Sequence, residues 1–293
     1  MKKLLLVVAA CFSVLALAQT DTADEGQYMT AEEFLASLNP QTGKITLPGN
    51  IATINLGDRF QYLNPESTER LLVDGWGNPP GFDTLGMVIP TAISPVSEEG
   101  WGVVITYDED GHVSDDDADD IDYNDLLDSM KDENVTLNEE RKEQGYGSML
   151  LLGWAEPPRY DKSSHKFYWA KEYATDHSEE NSLNYNIRVL GRKGVLVLNA
   201  VAGMNQLSTI RNTMPDLLAV TEFTQGNRYE DFNSQTDHVA EYGLAAMVAG
   251  GAAAKMGLFA KLGALLLAFK KFVIIGAVAV FGFIGKLFGK KTK

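Results

Sequence analysis

The strongest constraint on this chain is an unbroken apolar stretch of fourteen residues near its C-terminus, residues 272–285. Two lysines precede it and four follow it within eight residues. A membrane span needs about 20 apolar residues, but lysine side chains at a helix end can reach the interface. Adding residues 286–288 gives a segment of seventeen. We therefore predict a transmembrane helix over residues 272–288 and a basic cytoplasmic tail over residues 289–293.

The span is expected to begin after Lys271. A lysine at mid-membrane costs about 2.5–3.5 kcal/mol, whereas each large apolar residue contributes only about −0.3 to −0.6 kcal/mol. Residues 241–271 are rich in alanine and glycine but contain Lys255 and Lys261. They are predicted to form a membrane-proximal helix, with a second span or a flexible linker as alternatives. A single span is favoured because it leaves the basic tail inside, as the positive-inside rule prefers.

The N-terminus has the three parts of a secretory signal peptide. Lys2 and Lys3 supply the positive charge, an apolar region follows, and Ala16-Leu17-Ala18 offers a small-x-small cleavage site. Residues 1–18 are therefore predicted to be removed, with an uncleaved anchor or a lipoprotein at Cys11 as alternatives. Together the two ends predict a protein of the inner (cytoplasmic) membrane whose bulk is periplasmic.

Cysteine content and charge exclude several classes of function. Cys11 is the only cysteine, so the predicted mature chain has no disulfide, thiol nucleophile or cysteine-based metal site. Residues 19–254 contain 40 acidic and 15 basic residues, a net charge of −25. Such a domain is a poor candidate for binding nucleic acid, because it repels phosphates. The lipid bilayer, contacted through the C-terminal helix, is the expected partner.

Residues 19–240 are predicted to form an acidic periplasmic α+β domain. Thr30 and Glu33 form a capping box for a short helix, and Ser114 with Asp117 predicts a second, acidic helix. Alternating apolar residues predict strands at 45–47, 51–56, 86–90, 101–107, 149–154, 166–173, 183–190 and 195–201. Because several links have hairpin length, the sheet should be mostly antiparallel, with flanking helices.

An internal repeat is a further hypothesis. Residues 75–83 and 153–161 share the pattern G-W-x-x-P-P-x-(F/Y)-D. We hypothesise that residues 71–130 and 149–220 are two copies of one β-rich unit, with chance similarity as the alternative.

Acidic side chains between residues 108 and 128 are the candidates for binding a divalent cation. Crowded carboxylates are the ligands that hard cations prefer, although no register fits an EF-hand loop. The alternative is a solvated face that caps a helix start, where negative charge complements the helix dipole. The candidate ligands are Asp110, Asp115, Asp116, Asp117 and Asp119.

Other motifs for catalysis are weak. The four histidines lack the spacing of a zinc enzyme, and we predict no cofactor. The tryptophans lie beside glycine or proline, as core residues at strand ends often do. Arg192 lies at a glycine-flanked turn where it could bind an anion, with a soluble turn paired with the acidic surface as the alternative. The candidates for an interaction surface are Trp76, Asn78, Trp154 and Arg192.

Several strings together resemble a bacterial family of unassigned function, labelled domain of unknown function 2167 and described as membrane-anchored. The strings are WGNPPG (76–81), WGVVI (101–105), DGHVSD (110–115), LNYNIRVLGR (183–192), YEDF (229–232) and YGLAA (242–246). The resemblance implies an exported domain with a C-terminal anchor. It implies no activity and no catalytic residues.

The leading hypothesis from the sequence is a non-catalytic envelope protein that binds a partner protein at the inner membrane. One alternative is an envelope hydrolase that acts on lipid or glycan through a dispersed acid/base site. Another is a protein that binds divalent cations.

Overall fold

The computed structural model describes residues 29–78, 80–143, 145, 147–176 and 178–249. They form an α+β fold with antiparallel sheets and few helices, as predicted. The strands are β1 (Gly43–Thr46), β2 (Ala52–Leu56), β3 (Phe60–Leu63), β4 (Gly86–Pro90), β5 (Gly102–Asp108), β6 (Met149–Asp161), β7 (Lys166–Thr175), β8 (Ser182–Leu190), β9 (Val195–Gly203) and β10 (Thr221–Phe223). The helices are α1 (Ala31–Ser37), α2 (Pro65–Arg70), α3 (Tyr123–Glu143), α4 (Leu207–Ala219) and α5 (Leu244–Ala249).

The strands form two sheets in which every neighbouring pair is antiparallel. The small sheet has the order β1-β2-β10, and the large one has the order β3-β4-β5-β9-β8-β7-β6. Short turns connect most neighbours along the chain, which is why antiparallel pairing results.

Apolar side chains cover both faces of the large sheet. On one face, Val103 and Ile105 join a core that includes the small sheet and α4. On the other face, Val104 packs with Leu38 and Leu72 from the region of α1 and α2. Successive side chains of a strand point to opposite faces of the sheet. Because both faces are covered by apolar side chains, the central strands are apolar at every position rather than at every second one.

The cap predicted at Thr30 is confirmed. Its hydroxyl accepts from the backbone N–H of Glu33, and the Glu33 carboxylate accepts from the backbone N–H of Thr30.

The cap predicted at Ser114 is wrong, because α3 begins at Tyr123. Ser114 instead forms a local turn in which its hydroxyl bonds Asp116. The carboxylate that accepts from the first N–H groups near the helix start belongs to Asp122, at 2.9 Å from Asn124 N and 3.2 Å from Asp125 N. A Ser-x-x-acid pattern can close a turn as well as a helix, and here the turn is formed.

The hypothesis of two repeated units is also wrong. Residues 71–130 contain the two strands β4 and β5, whereas residues 149–220 contain the four strands β6 to β9. The shared motif adopts different structures, since Trp76 follows a helical turn (Leu71–Gly75) and Trp154 lies within β6. The two copies of the motif are therefore similar in sequence but not in structure.

No helix in the part of the chain that the structure describes has the length and apolar character needed to cross a membrane. The predicted signal peptide (1–18), transmembrane helix (272–288) and tail (289–293) lie outside the described residues. Of the predicted membrane-proximal helix, the structure describes α5. The chain divides into two units at Ala245 and Ala246, and the sheets and sites lie among the described residues of the first.

Candidate functional site

Three segments meet at the end of the large sheet where β5, β6 and β8 finish. They are the segment after β5, the turn between β6 and β7, and the segment that follows β10. The strand register places Asp108, Asp161 and Leu190 at this same end. A backbone bridge between His112 and Val239 ties the first segment to the last. Side chains distant in sequence therefore converge here.

The carboxylate of Asp115 lies at the centre of this convergence. Tyr160 donates its hydroxyl to Oδ2 at 2.7 Å, and Tyr229 donates to Oδ1 at 3.2 Å. Burial raises the pKa of Asp115, but the two hydroxyls and the positive charge of Lys162 outweigh burial and hold the pKa below its usual value. Asp115 is therefore a carboxylate at neutral pH and serves as a hydrogen-bond acceptor.

Four rings follow one another beside this carboxylate, with the His112–Tyr229 pair tilted by 33° and the two outer pairs stacked. We call them the ring column: His165, Tyr229, His112 and Phe232. Successive ring centroids are 4.0, 4.3 and 3.9 Å apart. His165 has a left-handed backbone, with φ of 50°, a conformation that is costly for a residue other than glycine. Its Nδ1 lies 3.3 Å from the Tyr160 hydroxyl and 3.7 Å from Asp115 Oδ2. The strained turn therefore aims the imidazole at the Tyr160–Asp115 pair.

His112 is the buried member of the ring column, with 8% of its surface exposed. Its Nδ1 has no hydrogen-bond partner among the described residues. Desolvation lowers the pKa of His112, although backbone groups of Gly191 and Arg192 and the charge of Asp115 oppose the shift. The imidazole is therefore neutral at pH 7 and contributes to the column as a flat, mostly apolar ring.

A cavity of about 260 Å³ opens beside the exposed edge of the ring column. Its lining carries charge of both signs together with apolar surface. The lining residues are Ser164, His165, Val189, Leu190, Glu222, Phe223, Arg228, Tyr229 and Glu230. A volume of this size accommodates a small polar group rather than a large ligand.

The two tyrosines are not activated for nucleophilic attack. Burial raises the pKa of Tyr160 and of Tyr229 far above the usual value, and the neighbouring Asp115 raises both further. A catalytic tyrosine needs the opposite shift, because the phenolate is the reactive form. The arrangement therefore keeps both hydroxyls protonated as donors, which suits binding better than proton transfer.

Arg192 closes the same end of the sheet. Its guanidinium forms a bidentate pair with Asp237, with Nε–Oδ2 and Nη2–Oδ1 distances of 2.7 and 3.0 Å, and Nη1 donates to the Gly226 carbonyl. The pair holds the pKa of Asp237 well below its usual value. The anion at Arg192 is thus a carboxylate of the chain itself, which agrees with the alternative of a turn paired with the acidic surface and corrects the placement of Arg192 on an interaction surface.

The remaining predicted surface residues do not form one surface. Trp76 and Asn78 are buried, and their side chains donate to the backbone carbonyls of Pro95 and Leu72. Trp154 is half-buried on β6 and donates to a backbone carbonyl of α3. Trp76 and Asn78 were wrong predictions because aromatic and amide groups beside Pro and Gly also serve as core residues that satisfy loop carbonyls.

The predicted cation ligands are dispersed rather than gathered. The Tyr242 hydroxyl donates to Asp110, the Ser114 hydroxyl donates to Asp116, and the backbone N–H of Leu244 donates to Asp117. The structure describes no hydrogen bond of the Asp119 side chain. Among the described residues, no three His, Cys, Asp or Glu side chains lie in a group that could hold a metal ion. Most of these carboxylates instead accept hydrogen bonds that hold loop segments in place.

The ring column was missed at the sequence level, although two of the strings that carry the family resemblance contain three of its four rings. The string 110–115 contains His112 and Asp115, and the string 229–232 contains Tyr229 and Phe232. Their spacing in the chain gives no sign that they touch. Only the loop after β10, returning beside the segment that follows β5, brings them together.

Comparisons with known proteins identify a family. Residues 39–281 match the family described as "Protein of unknown function (DUF2167)", so the chain belongs to this family. No curated protein matches the chain.

Two solved structures show distant similarity. The chain is 10% identical to cyanobacterial PsbP (CyanoP) from Synechocystis sp. PCC 6803, covering 70% of this chain and 98% of that one, with a TM-score of 0.34. It is 9% identical to the Ran-binding protein Mog1p of Saccharomyces cerevisiae, covering 67% of this chain and all of that one, with a TM-score of 0.32.

Proposed function

We propose that this chain is a membrane-tethered binding protein of the bacterial envelope. Residues 1–18 direct export, residues 272–288 hold the chain in the inner membrane, and residues 19–240 face the periplasm. The support for this topology is the sequence itself, with a signal-like start, a final apolar stretch between lysines, and a strongly acidic body between them.

The cavity beside the ring column is the proposed binding site. The observation that supports this proposal most directly is that the hydroxyls of Tyr160 and Tyr229 both donate to the Asp115 carboxylate, beside a small cavity lined by charges of both signs. Arg228 and the glutamates Glu222 and Glu230 supply opposite charges at the rim. Such a lining suits a short polar segment of a partner protein that carries both donors and acceptors.

Photo-crosslinking in the native envelope tests the proposal. A photoreactive amino acid replaces Ser164, which lines the cavity, and in a matched control it replaces Ser97, which lies in the β4–β5 loop. We expect a crosslinked partner at position 164 that is missing at position 97 when the products are identified by mass spectrometry. Recovery of the uncrosslinked chain alone from both positions would contradict the proposal.

A hydrolase acting on lipid or glycan is the second candidate. The geometry that favours it is the chain of contacts from Asp115 through Tyr160 to the partly exposed His165, an arrangement that could orient an imidazole as a general base. Replacing His165 with Asn keeps the left-handed backbone accessible and removes the base. A lipid or glycan hydrolysis that the purified wild-type chain performs and His165→Asn abolishes would favour this candidate over binding alone.

A further inference from the structure

Strand β6 forms one edge of the large sheet, and its two halves are protected in different ways. The C-terminal half contains Pro157 and Pro158, which lack the N–H group that a further strand would need. In this half the pairing with β7 shifts register between Trp154 and Glu156 and between Glu156 and Arg159, and a further shift lies between Leu151 and Gly153, where the two halves meet. Such bulges discourage pairing at an edge. This protection is built into the sequence and is permanent.

The N-terminal half of β6 is protected by helix α3 instead. Asn138 Oδ1 accepts from the Met149 N–H at 2.7 Å, and Asn138 Nδ2 donates to the Met149 carbonyl at 2.8 Å. Asn134 Oδ1 accepts from the Leu151 N–H at 2.9 Å. Four residues of helix rise about 6 Å and two residues of strand about 6.8 Å, so amides four apart match alternate strand residues. The two side-chain amides occupy the places of a neighbouring strand's peptide groups.

This cover is attached mainly by polar contacts. Of the 21 residues of α3, only Met130 and Asn134 are buried, and Val135 is 55% exposed. On the strand beneath, Leu150 and Leu152 are 49% and 39% exposed and share one face of β6. Little apolar surface would be uncovered if the helix moved away. A strand that took the place of the helix could pack on the two exposed leucines of β6.

We propose that the edge of β6 at residues 149–152 is a docking site for an extended segment of a partner protein, and that α3 covers it when the partner is absent. The added strand would take over the backbone hydrogen bonds now made by Asn134 and Asn138, and its alternate apolar side chains would pack on Leu150 and Leu152. This site lies at the opposite end of β6 from the His165 turn, so it is independent of the proposed cavity.

Charge identifies the kind of segment that fits. Residues 19–254 carry a net charge of −25, and this acidic body favours a basic strand even after α3, with its seven acidic and three basic residues, has left the edge. A second copy of the chain fits poorly, because residues 19–254 carry a net charge of −25 and two such bodies repel each other. Self-pairing would also require the cover to leave both copies.

Peptide binding to the full-length chain in zwitterionic detergent tests the proposal. The probe is a fluorescent ten-residue peptide in which Lys and Val alternate, and its control alternates Glu and Val. The double variant Asn134→Ala/Asn138→Ala should bind the basic peptide about tenfold tighter than wild type. Without the two amides, α3 no longer competes with the peptide for the edge of β6, so a larger fraction of the chain is ready to bind. Asn124→Ala, an exposed asparagine of the same helix, should bind as wild type does.

Hydrogen exchange on the wild-type chain gives a readout that does not depend on the variants folding. Saturating basic peptide should speed exchange across residues 130–138 while the amides of Met149 and Leu151 stay protected, because one cover replaces the other. Binding that leaves the exchange of α3 unchanged would overturn the proposal. So would equal binding of the acidic peptide, or a double variant that dimerises in sedimentation without binding peptide.

Discussion

The Tyr160 hydroxyl donates to Asp115 Oδ2 at 2.7 Å, and this contact joins the β6–β7 turn to the segment after β5. The two residues lie 45 positions apart in sequence. Because the acceptor is ionised, the bond is stronger than one between neutral groups. The pair therefore fixes one wall of the proposed binding cavity.

Replacing Tyr160 with Phe should lower the free energy of unfolding by about 1.5–3 kcal/mol, as expected for a hydrogen bond to a charged group. It should also raise the pKa of Asp115, because one of the hydroxyls that stabilise the carboxylate is lost. Urea unfolding measures the first effect, and carboxyl NMR shifts measure the second. Tyr173→Phe is the control, since Tyr173 is a buried residue for whose hydroxyl the structure describes no hydrogen bond. Equal effects of the two substitutions would contradict the assigned role.

His112 should make stability depend on pH in the range where histidine titrates. The unfolded chain binds this proton with a pKa of about 6.5, whereas desolvation lowers the folded pKa. The unfolded state therefore binds more protons, and stability rises with pH. The contribution is fully present above about pH 6.5 and is lost as the pH falls through the lower, folded pKa.

The check on His112 is urea unfolding at pH 7.5, 6.5 and 5.5 for wild type and for His112→Phe. Phenylalanine keeps a stacked ring and removes the titration, so the variant should lose less stability on acidification than wild type. Asp115 does not interfere, because its lowered pKa places its own loss of stability below pH 4. Parallel slopes in the two proteins would show that His112 is not the titrating group.

Local signals predicted much of the fold, and long-range contacts explain what was missed. The capping box at Thr30 depends on neighbours in sequence, so the sequence reveals it. Tyr229 and Asp115 are 114 residues apart, and no periodicity links them. Asn134 was overlooked for a related reason: buried polar residues break the apolar pattern of a helix, and their role depends on the strand that they contact.

Gly86 should tolerate no side chain. Its φ is +122°, and a Cβ there would lie 2.6 Å from the Leu63 carbonyl oxygen. Gly86→Ala combines backbone strain with a clash, so we expect the free energy of unfolding to fall by about 2 kcal/mol or more. Gly43→Ala is the matched control, because its φ is +80° but no atom lies within 4 Å, which isolates the conformational term. Equal losses for the two variants in urea unfolding would argue against the clash.

The Arg192–Asp237 pair should act as a single unit that holds the segment after β10. Arg192→Lys keeps the charge but cannot form the bidentate contact, and Asp237→Asn removes the carboxylate. Each should speed hydrogen exchange across residues 226–238, and the double variant should exchange no faster than the more affected single variant. Additive effects in this double-mutant cycle would mean that the two side chains act separately.

Membrane attachment should depend on the apolar stretch at residues 272–285. Val278→Lys places a charge near the middle of that stretch, at a cost of about 2.5–3.5 kcal/mol. This cost cancels the contribution of several large apolar residues, each worth about 0.3–0.6 kcal/mol, so the variant should leave the membrane fraction after alkaline extraction. Val278→Leu preserves the apolar character and should remain with the membrane. If both variants distributed alike, some other segment would have to be the anchor, and residues 241–271 would be the next to test.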